Sequence, residues 1–474
     1  MELANWSGTH TIVTDKFYQP ETVEELQAIV EHCHATKQKV RPVGTCLSPN
    51  GIAMNTDAMV SMSSLNDIIR VDPEGQTITV QAGIKVSKVL QELQKYGLTL
   101  QNFSSIQDQQ MGGWTQVAAH GTGAGLPTVE EMITRMKMMT ATQGEVELSE
   151  TQNPELFRMA KVGLGCLGVV TEMTLRCIPQ HNLLEKSWVT DMEGVRKDHT
   201  ELLDKYRHVR YMWLPRTEKV VVVVSNPHNG DQPPSKPDPD ATAPLRRLLG
   251  QCTKQPESDF KQLNFAQLRD ELLTLNPLDP EHVVQVNKAE AEFWVQNAGH
   301  RLGDSTDILG FECGGSQWVL EVAFPIKKPL GDIDFMQDIL STIEKQNIPA
   351  PAPIEQRWTA RSHAPMSPAH SNDPNQVFSW VGVIMYLPPG QDDEGLQKIT
   401  DQFEAYTKAL GPVYKQYGAV PHWAKIEAKK DPVELQEQRD QLKARYPVAQ
   451  FNTIRQQLDP HNIFGNDLID SVLR

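Results

Sequence analysis

The chain is poor in the features that would place it in a membrane, on nucleic acid or in an oxidising compartment. No run approaches the ~18 consecutive apolar residues of a membrane span, and the valine run Val220 to Val224 has the length of one buried strand. Basic residues are the minority, 45 Lys and Arg against 60 Asp and Glu, for a formal charge of −15 at pH 7. Nucleic-acid phosphates would be repelled by that balance rather than neutralised, whereas a small substrate or a basic protein partner would not. Cysteine is sparse and unpatterned: Cys33, Cys46, Cys166, Cys177, Cys252 and Cys313 include no C-x-x-C pair and no zinc-like Cys/His spacing. They read as reduced thiols, and no metal is expected. His32, Cys33 and His34 are consecutive on a predicted helix, where adjacent side chains diverge. Met1 to Trp6 show neither the apolar core of a signal peptide nor the Arg-rich face of a transit peptide, which leaves a cytosolic chain or one whose leader was removed.

What is present is enough length for more than one core. At 474 residues, two or three domains are expected. Helical spacing of Leu26, Ile29 and Val30 predicts a helix over Glu24 to Gln38, and Lys39 to Val43 alternates as a strand does. Strand-like runs continue at Met59 to Met62, Thr77 to Gln81 and Val169 to Leu175, an α+β pattern. Extended stretches lie around Val209 to Trp213 and Val220 to Val224. Asn226 to Pro244 is rich in Pro, Asp and Gly and reads as a surface loop. Helical patterns resume at Phe265 to Leu275 and Lys288 to Gln296, and a second sheet is suggested by Trp318 to Phe324 and Phe378 to Tyr386.

The strand at Lys39 to Val43 runs into Pro42-Val43-Gly44-Thr45-Cys46-Leu47-Ser48-Pro49-Asn50-Gly51. Small residues with a Ser hydroxyl suit a loop whose backbone N–H groups hold a pyrophosphate, although such residues also fill ordinary turns. Gly163-Leu164-Gly165-Cys166-Leu167-Gly168 matches G-x-G-x-x-G, but a helical stretch, Pro154 to Lys161, precedes it and a strand follows. The nicotinamide fingerprint needs the reverse order, so that reading is set aside. Two further glycine clusters, Gln110 to Trp114 and Ala118 to Gly125, lie between these loops.

The ordered set of glycine loops resembles the FAD-binding domain of the vanillyl-alcohol-oxidase family, and within it the aldonolactone oxidoreductases. Further markers are Asn5-Trp6-Ser7-Gly8-Thr9-His10, Gly97 to Phe103, Pro353-Ile354-Glu355-Gln356-Arg357-Trp358-Thr359-Ala360-Arg361 and His422-Trp423-Ala424-Lys425. The resemblance spans nearly the whole chain. It implies a two-subdomain FAD-binding domain over 10–185, an α+β cap domain over 186–420 and a C-terminal segment, 421–474, that returns to the flavin. It also implies an FAD-dependent dehydrogenase that takes a sugar lactone, L-galactono-1,4-lactone, to L-ascorbate by hydride transfer to flavin N5. Electrons would pass to cytochrome c rather than O2, in a monomeric protein on the intermembrane-space side of the mitochondrial inner membrane. A peroxide-forming aldonolactone or alditol oxidase, and a flavin-bearing assembly protein with vestigial chemistry, are the alternatives.

Carried over residue by residue, the resemblance assigns flavin contact to Pro42, Val43, Gly44, Thr45, Cys46, Leu47, Ser48, Asn50, Gly51, Ser104, Ser105, Gly112, Gly113, His120, Gly121, Gly123, Gly168, Val169 and Val170. Leu47 stands where many relatives carry a histidine bonded to the flavin, so the FAD is expected to be non-covalent. Ser104 stands where dehydrogenases of the family have Ala and oxygen-using members have Gly, and a side chain there would shield the flavin from O2. Cys46 takes the place of a loop glycine, where a Cβ implies a small rearrangement. Pro351-Ala352-Pro353 enforces an extended backbone, so Ile354 to Thr359 is expected as a strand with Glu355 and Arg357 on one face. By resemblance this pair meets the lactone: Arg357 would stabilise developing negative charge, and Glu355 would orient hydroxyls and accept a proton. His422 and Lys425 would polarise the substrate or tune the flavin, and Cys313 would lie close to the lactone.

Overall fold

The computed structural model describes residues 1–231, 240–311 and 314–474. Residues 232–239 of the Pro-rich stretch expected near 226–244, and Cys313, lie outside these residues.

The N-terminal part carries a three-stranded and a five-stranded sheet, besides two two-stranded ones. In the first, parallel strands in the order Lys16–Tyr18, Ala58–Ser61, Arg41–Val43 pack Val40, Ala58 and Val60 against Leu26, Val30 and Cys33 of helix Val23–Thr36. Thr22 caps that helix by accepting from the Glu25 N–H, and Lys37 ends it with φ 56°. The second sheet is antiparallel, in the order Gly144–Ser149, Ile133–Thr140, Val169–Arg176, Thr77–Gln81, Ile68–Asp72.

At Asn182 the chain enters an eight-stranded antiparallel sheet. Its order is Gly299–Asp304, Asn182–Thr190, Lys219–Pro227, His208–Leu214, Ile354–Ala360, Val377–Tyr386, Gln317–Pro325, Val420–Pro421. The stretches that read as two sheets in sequence are therefore one. The valine run explains itself by its two faces. Val220, Val222 and Val224 enter a core with Phe335, Ile339 and Tyr406, whose helices Gly331–Lys345 and Asp393–Tyr417 cover one side of the sheet. Val221 and Val223 point the other way, toward Met212 and Ala291 of helix Pro280–Gln296. Ile354–Ala360 alternates likewise: Ile354 and Trp358 belong to the helix-covered core, while Glu355 and Arg357 face a cavity on the opposite side.

The C-terminal helices Pro432–Arg445, Val448–Leu458 and Asp467–Val472 return to the N-terminal part, where Leu442, Phe451 and Ile469 share a core with Ile78, Met136 and Val170. Two polar side chains hold that return. Asn466 Nδ2 donates to the carbonyls of Gly51, Ile52 and Met54, and buried Arg41 donates to Phe464 O at 2.7 Å and Leu164 O at 2.6 Å.

Where the large sheet meets the N-terminal part, two consecutive carboxylates are buried. Ser362 Oγ donates to Glu130 Oε1 at 2.7 Å and to Glu131 Oε1 at 3.0 Å. Glu131 is offset by His363 Nδ1 at 2.8 Å and Lys161 Nζ at 3.9 Å. Glu130 has no cation, and burial together with the charge of Glu131 pushes its pKa up to about 7. A carboxyl whose folded pKa exceeds its unfolded value contributes stability that is complete below about 4.5 and is lost as pH rises through about 7. Glu130→Gln should therefore stabilise the fold at pH 8 by on the order of 3 kcal/mol, raising the thermal midpoint there, and change it little at pH 5. Equal shifts at both pH values in calorimetry would refute this.

Candidate active site

A cavity of about 610 Å³ lies between the open face of the eight-stranded sheet and the N-terminal loops. Of the residues singled out in sequence, it is lined by Pro42, Val43, Gly44, Thr45, Cys46, Leu47, Ser48, Ser104, Ser105, Gly112, Gly113, His120, Gly168, Val169, Val170, Glu355, Arg357, His422 and Lys425. Four others, Asn50, Gly51, Gly121 and Gly123, are not among its lining residues and have roles within the protein. Asn50 is a buried brace, its Nδ2 donating to Trp423 O and Ile426 O. Gly51 opens a 3-10 turn and its carbonyl accepts from Asn466. Gly121 is pressed against Asn102, whose Oδ1 a Cβ would meet at 2.1 Å. Gly123, at φ 152°, donates its N–H to Trp358 O and so ties its loop to the sheet.

The loop after Val43 meets the physical requirements of a phosphate cradle. Among the described residues, the N–H groups of Thr45, Cys46, Leu47 and Ser48 have no protein acceptor. Cys46 itself takes the left-handed conformation at φ 56°, so the thiol-bearing residue keeps the backbone path that a glycine would adopt more cheaply. Such a turn converges successive amides on one anion. On the facing wall a Cβ at Gly113 would meet nothing within 4 Å, so its bare backbone leaves room for a flat ring system. Leu47 offers no nucleophile to that space. The Ser104 hydroxyl is occupied, accepting from Trp114 Nε1 at 2.9 Å and lying 2.5 Å from Gln109 Oε1. Gly163 to Gly168 follows helix Pro154–Ala160 and precedes strand Val169–Arg176, the order that excludes a nicotinamide turn.

The sheet side of the cavity is charged. Register places Glu321, Gly382, Glu355 and Met212 side by side on four successive strands, and Arg357 beside Arg210. Glu321, 2% exposed, takes Arg357 Nη2 at 2.6 Å on one oxygen and Lys425 Nζ on the other. Burial pushes its carboxyl up, but Arg357, Lys425 and His120 outweigh that and hold it well below the usual carboxylate range. Glu355 is flanked by Arg357 Nε at 3.3 Å and Arg210 at 3.6 Å, and Arg210 stacks over Phe311 at 4.0 Å. Three cations against two carboxylates leave this group with a surplus positive charge.

Two buried histidines complete the wall. His120 stacks on Trp380 with ring centroids 3.8 Å apart, donates from Nδ1 to Gly121 O, and has Nε2 3.3 Å from Glu321. Burial lowers its pKa, and that of His422 falls well below the usual value from burial and then from Lys425. His422 Nδ1 accepts from the Ala424 N–H, which leaves the proton on Nε2. Glu321 and Arg210 were not recognised in sequence. Only the interruption of an apolar strand by Glu321 in Val319-Leu320-Glu321-Val322-Ala323 could have signalled it. No cluster of His, Cys, Asp or Glu suited to a metal occurs among the described residues, and the five described cysteines are free thiols.

Comparison with known proteins places this geometry in a family. Residues 14–149 match an FAD-binding domain and residues 173–472 match the D-arabinono-1,4-lactone oxidase family. The chain is 44% identical to a mitochondrial L-galactono-1,4-lactone dehydrogenase of Brassica oleracea, covering 99% of this chain and 82% of that protein. It is 28% identical to L-gulonolactone oxidase of Bos taurus over 100% of this chain and 98% of that protein. Its fold matches a crystal structure of cholesterol oxidase from B. sterolicum with a TM-score of 0.77 at 18% identity, covering 100% of this chain and 96% of that one. With an FAD-binding domain joined to a sheet-based second unit that carries a charged cluster over the same cavity, the chain belongs to the D-arabinono-1,4-lactone oxidase family and is an FAD-dependent oxidoreductase.

Proposed function

We propose that the chain oxidises L-galactono-1,4-lactone to L-ascorbate and passes the electrons to cytochrome c rather than to O2, in mitochondria on the intermembrane-space side of the inner membrane. The observation that carries the reading is the pairing of Glu355 and Arg357 on one strand face, across the cavity from the unpartnered loop amides. Support for the substrate comes from the 44% identity to the plant lactone dehydrogenases, whose names also carry the mitochondrial location.

Oxidation of a secondary alcohol removes a hydride from carbon and a proton from oxygen. Bound FAD supplies the hydride acceptor, N5. Thr45 to Ser48 hold the pyrophosphate with their N–H groups, and Leu47 leaves the flavin non-covalent. Glu355 accepts hydrogen bonds from the lactone hydroxyls and takes the proton of the one being oxidised. Arg357 and Lys425, both fixed by Glu321, stabilise negative charge as it develops on the substrate oxygen. His422, neutral and protonated at Nε2, donates to the substrate carbonyl without adding charge. The oxidised lactone then settles as its ene-diol.

Anaerobic mixing of the holoprotein with a panel of aldonolactones should bleach the yellow flavin fastest with L-galactono-1,4-lactone, and acid precipitation should leave the flavin in the supernatant. Failure of every lactone to bleach it would leave a flavin-bearing assembly protein as the better reading. Glu355→Gln should lower kcat by about 10²-fold or more, since it removes the proton acceptor. A rise in KM with kcat intact would mark Glu355 as a binding group only. During turnover in air, cytochrome c should be reduced with little peroxide formed, and Ser104→Gly, which empties the space between Gln109 and Trp114, should raise peroxide output at least tenfold. Abundant peroxide from the unmodified protein would overturn the choice of acceptor.

A further inference from the structure

Most glycines near the cavity are explained by the protein itself. A Cβ at Gly83 would meet Met62 O at 1.7 Å, one at Gly121 would meet Asn102 Oδ1 at 2.1 Å, and one at Gly168 would meet Met139 O at 2.5 Å. Gly382 is different. It lies inside strand Val377–Tyr386, its φ is outside the left-handed region, and the nearest atoms to a Cβ there are Glu321 Cβ at 3.8 Å and Cγ at 3.9 Å, ordinary contacts. Neither backbone conformation nor packing asks for glycine, and a strand interior disfavours it. A glycine of this kind marks a close approach by something outside the chain.

The surroundings say what approaches. Along the strand, residues on the same face as Gly382 are Trp380, roofed by the His120 ring, and Ile384. Across the sheet its neighbours in register are Glu321 on one side and Glu355 on the other. The missing side chain therefore leaves a four-sided recess in the cavity wall, with carboxylates on two opposite sides and flat or apolar groups on the other two. Arg357 reaches both carboxylates, at 2.6 Å to Glu321 and 3.3 Å to Glu355, and so borders the recess as well.

We propose that Gly382 is the seat of the substrate ring. The five-membered lactone ring lies against the bare backbone of Gly382 with its hydroxyl edge toward Glu355 and Arg357, and the absence of a side chain sets how closely the ring approaches these groups. This rests on the reading of the protein as a lactone dehydrogenase, and it makes Gly382 a specificity-determining residue.

The test is anaerobic titration of the flavin-loaded wild type and of Gly382→Ala with L-galactono-1,4-lactone, followed by steady-state kinetics, with flavin content and thermal midpoint measured alongside. The alanine variant should retain its flavin and melt at or above the wild-type temperature, because Ala suits a strand better than Gly. The lactone concentration needed for half-bleaching, and KM, should rise at least tenfold. Gly382→Val should extend the trend to near-complete loss of response. A variant that bleaches like the wild type sinks the subsite while leaving the functional reading in place. Loss of flavin in place of loss of lactone response also sinks it, since the flavin ring would then be the group seated on Gly382. A wild type that no lactone bleaches sinks the functional reading and this subsite with it. If the valine variant does not fold, the alanine variant alone decides.

Discussion

One buried negative charge organises this site. Glu321 is buried on the penultimate strand of the large sheet, a position that would strongly favour its protonation were it alone. It stays ionised because a strand two places away in the sheet, a C-terminal loop and a glycine-rich loop each bring a group to it: Arg357, Lys425 and His120. Those three groups come from distant parts of the chain, so the charge balance is satisfied only when the N-terminal part, the large sheet and the C-terminal return are assembled together. Removing Arg357 or Lys425 would leave the buried carboxylate of Glu321 imperfectly compensated, the circumstance in which buried charges become costly. The active-site geometry and the docking of the two halves are in this sense one interaction.

Local signals in the sequence were sufficient for the elements and for half of the site. Helix Phe265–Leu275 and strand Thr77–Gln81 occur over the residues their patterns mark, and the strand signal at Val220 to Val224 extends to Lys219–Pro227. The expected α+β architecture, an FAD-binding domain of small sheets with a second sheet-based unit, is the one observed. Alternation after Pro353 put Glu355 and Arg357 on one face, because side-chain direction in a strand depends only on parity. Glu321 and Gly382 escaped for the complementary reason: their place beside Glu355 follows from which strands pair and in what register, and that is decided by packing between segments far apart in the chain rather than by neighbours in sequence. Gly51, Gly121 and Gly123 show the ambiguity of a glycine signal, since contacts within the protein occupy them. Glycine records that space is tight or the backbone unusual, but it does not say whether a ligand or the protein itself fills the space.

Cys46 illustrates how much a loop can absorb. The residue expected to displace the phosphate loop instead accepts the left-handed conformation, at a cost of about 1 kcal/mol that the rest of a well-determined loop can bear. Trp6 N–H donates to the Cys46 carbonyl at 3.0 Å, so the N-terminal residues hold the turn from outside.

The strand Ile354–Ala360 works on both of its surfaces. Glu355 and Arg357 face the cavity, while Gln356 and Trp358, between and beyond them, face inward to a buried network in which Trp358 Nε1 and His199 share Asp332 and Trp213 Nε1 donates to Gln356 Oε1. Chemistry and scaffold are thus interleaved one residue at a time along a single segment. An insertion or deletion of one residue there would exchange the two sets, burying charges against the helices and turning tryptophan toward the ligand. The strand can therefore absorb replacements of single side chains but not a change of length, which only the connections around it can take up.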